Sequence, residues 1–192
     1  MRNTLASVRR LFGPMLGLLL LFVLAAAPAS ADDASDKAAL DQLFTRLAIA
    51  PDADAARGIE QQIWQHWLVP ADAKLASRMA DILTLHSAGE LPTALVLLDK
   101  LVIDYPSYAE GWNQKATVEY ELHAFEASLA DIDKVLQFEP RHFGALSGRV
   151  LIYLQQGKRD LALIDMINAL AIDPWLSEKG LFPELLHGIT RV

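Results

Sequence analysis

The chain has 192 residues, no cysteine, 53% apolar and 21% charged residues, a composition of one or two small globular domains that excludes a disordered or collagen-like chain. Its 17 basic residues against 24 acidic ones give a net charge of −7, which lacks the broad basic footprint needed to neutralise nucleic-acid phosphates. Zero cysteine rules out disulfides, thiolate zinc sites, iron–sulfur clusters, an acyl-lipid anchor and thiol catalysis.

Residues 1–31 contain no acid, carry Arg2, Arg9 and Arg10, and run without charge from Leu11 to Ala27. A basic start, the apolar stretch Leu18 to Leu24 and the small residues Ala29-Ser30-Ala31 before Asp32 predict a secretory signal peptide cleaved after Ala31. The competing reading is an uncleaved membrane tether. Gly13 and Pro14 weigh against it, because they shorten the apolar run below the roughly 20 residues of a spanning helix. Arg9-Arg10 resembles a twin-arginine export motif, but the leucine-rich core suits the general secretory route. Without the leader the chain keeps 24 acids against 14 bases, near −10, and its mean hydropathy falls from +0.22 to about zero. The expected product is periplasmic or secreted, with no stable membrane span after cleavage.

Residues 32–74 read as a helix pair, the second helix carrying Ile59, Ile63, Trp64, Trp67 and Leu68 on a wide apolar face. The pair is expected to cap the beginning of a helical stack. Breakers then cut the chain into short amphipathic helices: Pro70, Gly89, Pro106, Pro140, Gly157 and Pro174 fall between apolar stripes. Pro106, Pro140 and Pro174 stand 34 residues apart. The same shift superposes Ala94 on Ser128 and Ala162, Leu95 on Leu129 and Leu163, Leu98 on Ile132 and Met166, and Leu101 on Val135 and Ala169. Three units result, 75–108, 109–142 and 143–174, each a helical hairpin that buries its faces only by stacking, with Leu129 expected in the core. Residues 175–192 suggest a closing helix with Trp175, Leu181, Phe182, Leu185, Leu186 and Ile189, interrupted by Gly180 and Pro183.

The unit resembles the tetratricopeptide repeat. In residues 109–142, Trp112 matches the family's tryptophan, Ala116 its first small residue, Phe125 the aromatic of the second helix, Ser128 its second small residue and Pro140 its terminal proline. The outer units match more loosely: Arg78 and Leu146 stand in the tryptophan position, Ile82 and Val150 in the first small position, and His123 replaces a turn glycine. The resemblance implies an all-α, right-handed superhelical solenoid of antiparallel helix pairs with about 8–9 helices after export.

No catalytic constellation, metal site or cofactor motif is expected. His66, His86, His123, His142 and His187 are scattered, without His-x-x-x-His or Glu-x-x-His spacing, and no nucleophile elbow or phosphate-binding glycine loop occurs. Asp131 with Asp133 and Glu119 with Glu121 are two apart on helices, diverge, and read as solvated faces. The resemblance implies instead a concave groove lined by the first helix of each unit. By register its residues are Met79, Leu83 and His86, then Glu110, Asn113, Thr117 and Tyr120, then Ser147 and Leu151. The family's carboxylate-clamping Lys/Arg/Asn set is absent, only Asn113 matching, so an acidic tail is not the expected ligand. The expectation is a non-enzymatic adaptor or scaffold for a neutral or basic protein segment, of undefined oligomeric state. The alternatives are a membrane-tethered envelope assembly factor and an enzyme with an unrecognised site in the groove.

Overall fold

The computed structural model describes residues 31–186, with side chains from 36 to 185. Among these residues the chain is helical without strands: α1 (Ala31–Ala48), α2 (Ala53–Leu68), α3 (Ala73–Ser87), α4 (Leu91–Asp104), α5 (Ala109–Glu121), α6 (Phe125–Phe138), α7 (Phe143–Gln155), α8 (Arg159–Ile172), a 3-10 turn (Ser177–Leu181) and α9 (Pro183–Leu186). The leader expected over residues 1–31 falls outside the described residues except for Ala31, and so does the stretch 187–192.

The sequence period is a period of backbone hydrogen bonds. The first helix of each unit ends on a left-handed residue, Gly89 (φ 76°), His123 (φ 59°) and Gly157 (φ 69°). After each, an amide reaches back five residues to close the end: Glu90 to the Leu85 carbonyl at 2.9 Å, Ala124 to Glu119 at 2.8 Å, Lys158 to Tyr153 at 2.8 Å. Glycine reaches this conformation without a Cβ penalty and His123 does not. The second helices stop at Pro106, Pro140 and Pro174, inside turns where Tyr108, His142 and Leu176 donate to the carbonyls of Tyr105, Glu139 and Asp173. α2 and α3 start on aspartates: Asp52 accepts from the Ala55 amide, and Asp72 from those of Lys74 and Leu75.

Packing follows the same register. Leu98, Ile132 and Met166 are buried, as are Leu101, Val135 and Ala169, and the small residues Ala94, Ser128 and Ala162 let paired helices approach. The Ser128 hydroxyl uses that closeness to donate to the Ala116 carbonyl at 2.7 Å. Leu129 departs from expectation: it is half-buried, and Ile132, three residues on, is the residue driven fully inward.

Of the acids read as solvated faces of α5 and α6, Asp133 and Glu121 are exposed, but Glu119 and Asp131 are not. Glu119 and Asp131 are buried around Lys115, whose ammonium lies 2.8 Å from Glu119, 2.6 Å from Asp131 and 3.5 Å from Asp99. One unit later Arg149 repeats the pattern, 2.7 Å from buried Asp165 and 2.9 Å from Asp133. Burial alone would lower the Lys115 pKa, but the hydrogen bonds it donates to Asp131 and Glu119 outweigh that and hold the ammonium well above its ordinary range.

The N-terminal pair does not cap α3. Leu47, Ile63 and Trp67 share a core with Phe143, Val150 and Met166 of the third unit, and Phe182 seals it. The reason lies in which end needs cover. The first unit closes its core with Val118 of the second, whereas Met166 and Ala169 of α8 are covered by Leu47, Ile63 and Trp67 of the N-terminal pair. α1 lies against α8 at that place. Arg141 reinforces the docking, 2.7 Å from Asp41 with its guanidinium 4.2 Å above the Phe44 ring, and the Trp175 indole donates to the Ala50 carbonyl at 3.1 Å.

Replacing Lys115 by alanine strands two buried carboxylates and should cost about 3–5 kcal/mol in urea unfolding, with most of the loss recovered in a Lys115→Ala, Glu119→Gln, Asp131→Asn triple variant. Gly157→Ala should cost about 1 kcal/mol, while His123→Gly should leave stability equal or higher, both read from urea midpoints.

Candidate functional site: a groove closed by the chain's own helix

A buried polar hub places α2 over α5 and α7. Glu110 is fully buried and accepts from His142 Nε2 at 2.9 Å, Gln114 Nε2 at 2.6 Å and Asn113 Nδ2 at 3.1 Å. His142 Nδ1 accepts from the Ala145 amide at 3.1 Å, capping α7, so the ring proton resides on Nε2 and a neutral imidazole donates to the carboxylate. Trp67 stacks on that imidazole at 3.9 Å and 10°, and Trp64 meets it edge-on at 5.5 Å. The Tyr108 hydroxyl donates to the Trp67 carbonyl, and burial, then the nearby Glu110, push its pKa far above the ordinary phenol. Gly144 provides the room for α2: a Cβ there would lie 2.6 Å from Trp64 Cη2.

Between α2, α5, α7 and residues 175–178 lies a cavity of about 540 Å³. Asn113, Thr117, Tyr120, Ser147 and Leu151, placed in the groove by register, all line it. Glu110 and Met79 do not: Glu110 is consumed by the hub, and Met79 is fully buried in the core of the first unit. Leu83 and His86 are half-buried on α3 and outside the cavity, whose walls come from α2 and the second and third units. His86 Nε2 lies 2.9 Å from Glu121 Oε1, and Glu121 reaches the cavity wall.

The wall offers unspent hydrogen-bonding capacity beside apolar surface. Thr117 donates to the Asn113 carbonyl at 2.9 Å and keeps its lone pairs, and Tyr120 accepts from Gln155 at 2.6 Å and keeps its O–H. Ser147 is 6% exposed and its Oγ has no partner. Phe143, Leu151 and Ile152 supply the apolar part. Such a wall suits a peptide backbone and one or two side chains. Glu119, raised by burial against the opposing hydrogen bond from Lys115, lies in the Lys115 cluster and outside the cavity, so it contributes no acid to the site. Among the described residues no group of three or more His, Asp or Glu side chains has the arrangement to hold a metal.

Residues outside the repeats complete the cavity and were not signalled by the register: Glu60 and Trp64 of α2, and Trp175 and Glu178 after α8. The available sign was that Trp64, Trp67 and Trp175 all lie outside the 34-residue units, where plain end caps have no need of tryptophan. Glu60 is pushed up to about 7, by burial first and then by Asp173 beside it. Asp173 is itself fully buried and raised by burial; its Oδ1 accepts from the Trp175 amide at 2.9 Å, while Oδ2 finds no donor.

Glu60 binds its proton more tightly in the folded chain, at about 7 against an ordinary 4.5. Between those values the folded state carries more protons than the unfolded one, so its stability falls as pH rises through the window. Glu60→Gln should flatten that part of the profile, seen as a smaller difference between thermal midpoints measured at about pH 5 and pH 8. Gly144→Ala should displace the Trp64 indole, costing about 1–3 kcal/mol and shifting tryptophan emission to the red.

The chain is 37% identical over 129 residues to a TPR repeat-containing protein of Rhizobium etli, an alignment covering 67% of this chain and 63% of that relative. It thus spans less than two thirds of the relative's length. No family model matches the sequence. Two solved structures of MamA mutants align at 17% and 19% identity, covering 72% and 79% of this chain and 97% and 91% of theirs, both with a TM-score of 0.48. Three successive hairpins whose left-handed turns recur every 34 residues, together with this relative, make the chain a tetratricopeptide-repeat protein.

Proposed function

We propose that the protein is a non-enzymatic adaptor that holds a short protein segment in the cavity between its own α2 and the first helices of its second and third units. The observation that carries this reading is the convergence of Asn113, Thr117, Tyr120, Ser147 and Leu151 on one cavity, with the Ser147 hydroxyl buried and unsatisfied. A bound backbone would satisfy that hydroxyl, and Leu151 would seat a side chain. The net charge of −7, near −10 without the leader, favours a neutral or basic segment and speeds its encounter. Export by residues 1–31 to the periplasm or outside the cell belongs to the same reading, supported by the basic start, the apolar core and the small residues before Asp32. Among the described residues no helix is long and apolar enough to cross a membrane. The tethered reading places the anchor in the leader, and the mass of the processed chain separates the two readings.

A photo-crosslinker replacing Thr117, in cells that export the chain, should capture a discrete protein. Ser147→Trp, which fills the cavity, should abolish that capture while circular dichroism stays helical. Equal capture from the exposed position of Lys134 on α6, or capture that survives Ser147→Trp, would contradict the cavity reading.

A further inference from the structure

Glu60 of α2 and Glu178 of the 3-10 turn line the cavity, with the buried Asp173 at the end of α8 beside Glu60, and none of the three has an ion-pair partner among the described residues. The two bases nearby, Arg57 toward Glu60 and Lys179 toward Asp173, lower these acids by less than burial raises them. Arg57 pairs with Asp54, and Lys179 bonds the Pro174 carbonyl at 3.2 Å with its ammonium 5.0 Å from the Trp175 ring. Glu121, on the α5 wall, faces His86. The charged groups lining the cavity are thus three carboxylates against one guanidinium, with Asp173 behind Glu60 adding a fourth acid.

Two buried polar atoms in this region lack partners, Asp173 Oδ2 and Ser147 Oγ. Two ionised carboxylates cannot bond each other, so the contact between Glu60 and Asp173 requires one of them to hold a proton. That proton is a substitute for a positive charge. Trp64 and Trp175 add aromatic surface to the same walls, suited to the methylene stem of a long basic side chain.

We propose that Glu60 and Glu178, with Asp173 behind Glu60, form a subsite for the ammonium or guanidinium of a lysine or arginine on the bound segment. The inference rests on the cavity being the segment's binding place and adds the chemistry of one residue in that segment. The apolar surface of Trp64 and Trp175 beside the acids fits a cation carried on a methylene stem. The raised Glu60, at about 7, agrees with a pair that holds one proton near neutral pH. A cation there favours the ionised pair, so affinity rises with pH through that value.

The test uses the full chain titrated with Nα-acetyl-lysinamide, Nα-acetyl-argininamide and Nα-acetyl-norleucinamide, followed by nuclear magnetic resonance at the indole N–H signals of Trp64 and Trp175. Saturable shifts are expected with the lysine and arginine amides, about tenfold weaker affinity with norleucine, and a similar loss for the lysine amide on Glu60→Gln or on Glu178→Gln. Lysine affinity should be higher at about pH 8 than at pH 6. Norleucine binding as well as lysine, or both glutamine variants binding lysine unchanged, overturns the subsite while leaving the cavity to the crosslink at position 117. Silence from all three amides overturns the subsite as well.

Discussion

The Trp67–His142–Glu110 stack is the interaction on which the shape of the site depends. A carboxylate with no solvent exposure is costly to bury unless donors surround it, and Glu110 has three. Those donors come from α5 itself and from the residue that caps α7, so the hub fixes how the second and third units meet. The indole of Trp67 then covers the imidazole and ties α2 to the same point. Buried polar groups of this kind specify one arrangement more than they add stability, because any other docking of α2 would leave Glu110 and His142 short of cover.

Closure by α2 changes what a repeat array can do. An open stack presents a continuous concave surface along which a long peptide lies. Here the N-terminal pair occupies the apolar end that α8 leaves and crosses the second and third units, turning the surface into a cavity of about 540 Å³. The space suits a short stretch of chain and few side chains, and the contents must contact both the repeats and the helix that crosses them. Binding and the packing of α1 and α2 are therefore linked: a ligand that fits the closed form stabilises it, and a bulky one must displace Trp64 from its seat over Gly144.

Much of the fold was legible because it is local and periodic. The 34-residue register placed the turns, the terminal prolines and the positions of Leu98, Ile132 and Met166, and His123 in a glycine position adopts the left-handed backbone of its neighbours one period away. Asn113, Thr117, Tyr120, Ser147 and Leu151 were found through the same register, since one helix face repeats from unit to unit. Met79 and Glu110 share that register and yet are buried, because the register says which way a residue faces and not what lies opposite. The docking of α1 and α2 was not legible: it rests on contacts such as Arg141 with Asp41, a hundred residues apart. The buried acids had a visible sign, with basic residues at 115 and 149 and aspartates at 131 and 165, each pair one period apart. Pairing by charge across periods would have identified the clusters.

Hydrogen exchange on the unmodified protein, resolved to single amides, tests the central claim that α2 folds as part of the second and third units. The account predicts that the amides of Ile59 to Leu68 open with the same free energy as those of α5 and α7 and share their response to mild denaturant, as one cooperative unit. Exchange of α2 that is fast and independent of α5 and α7, or that follows α3 instead, would contradict it.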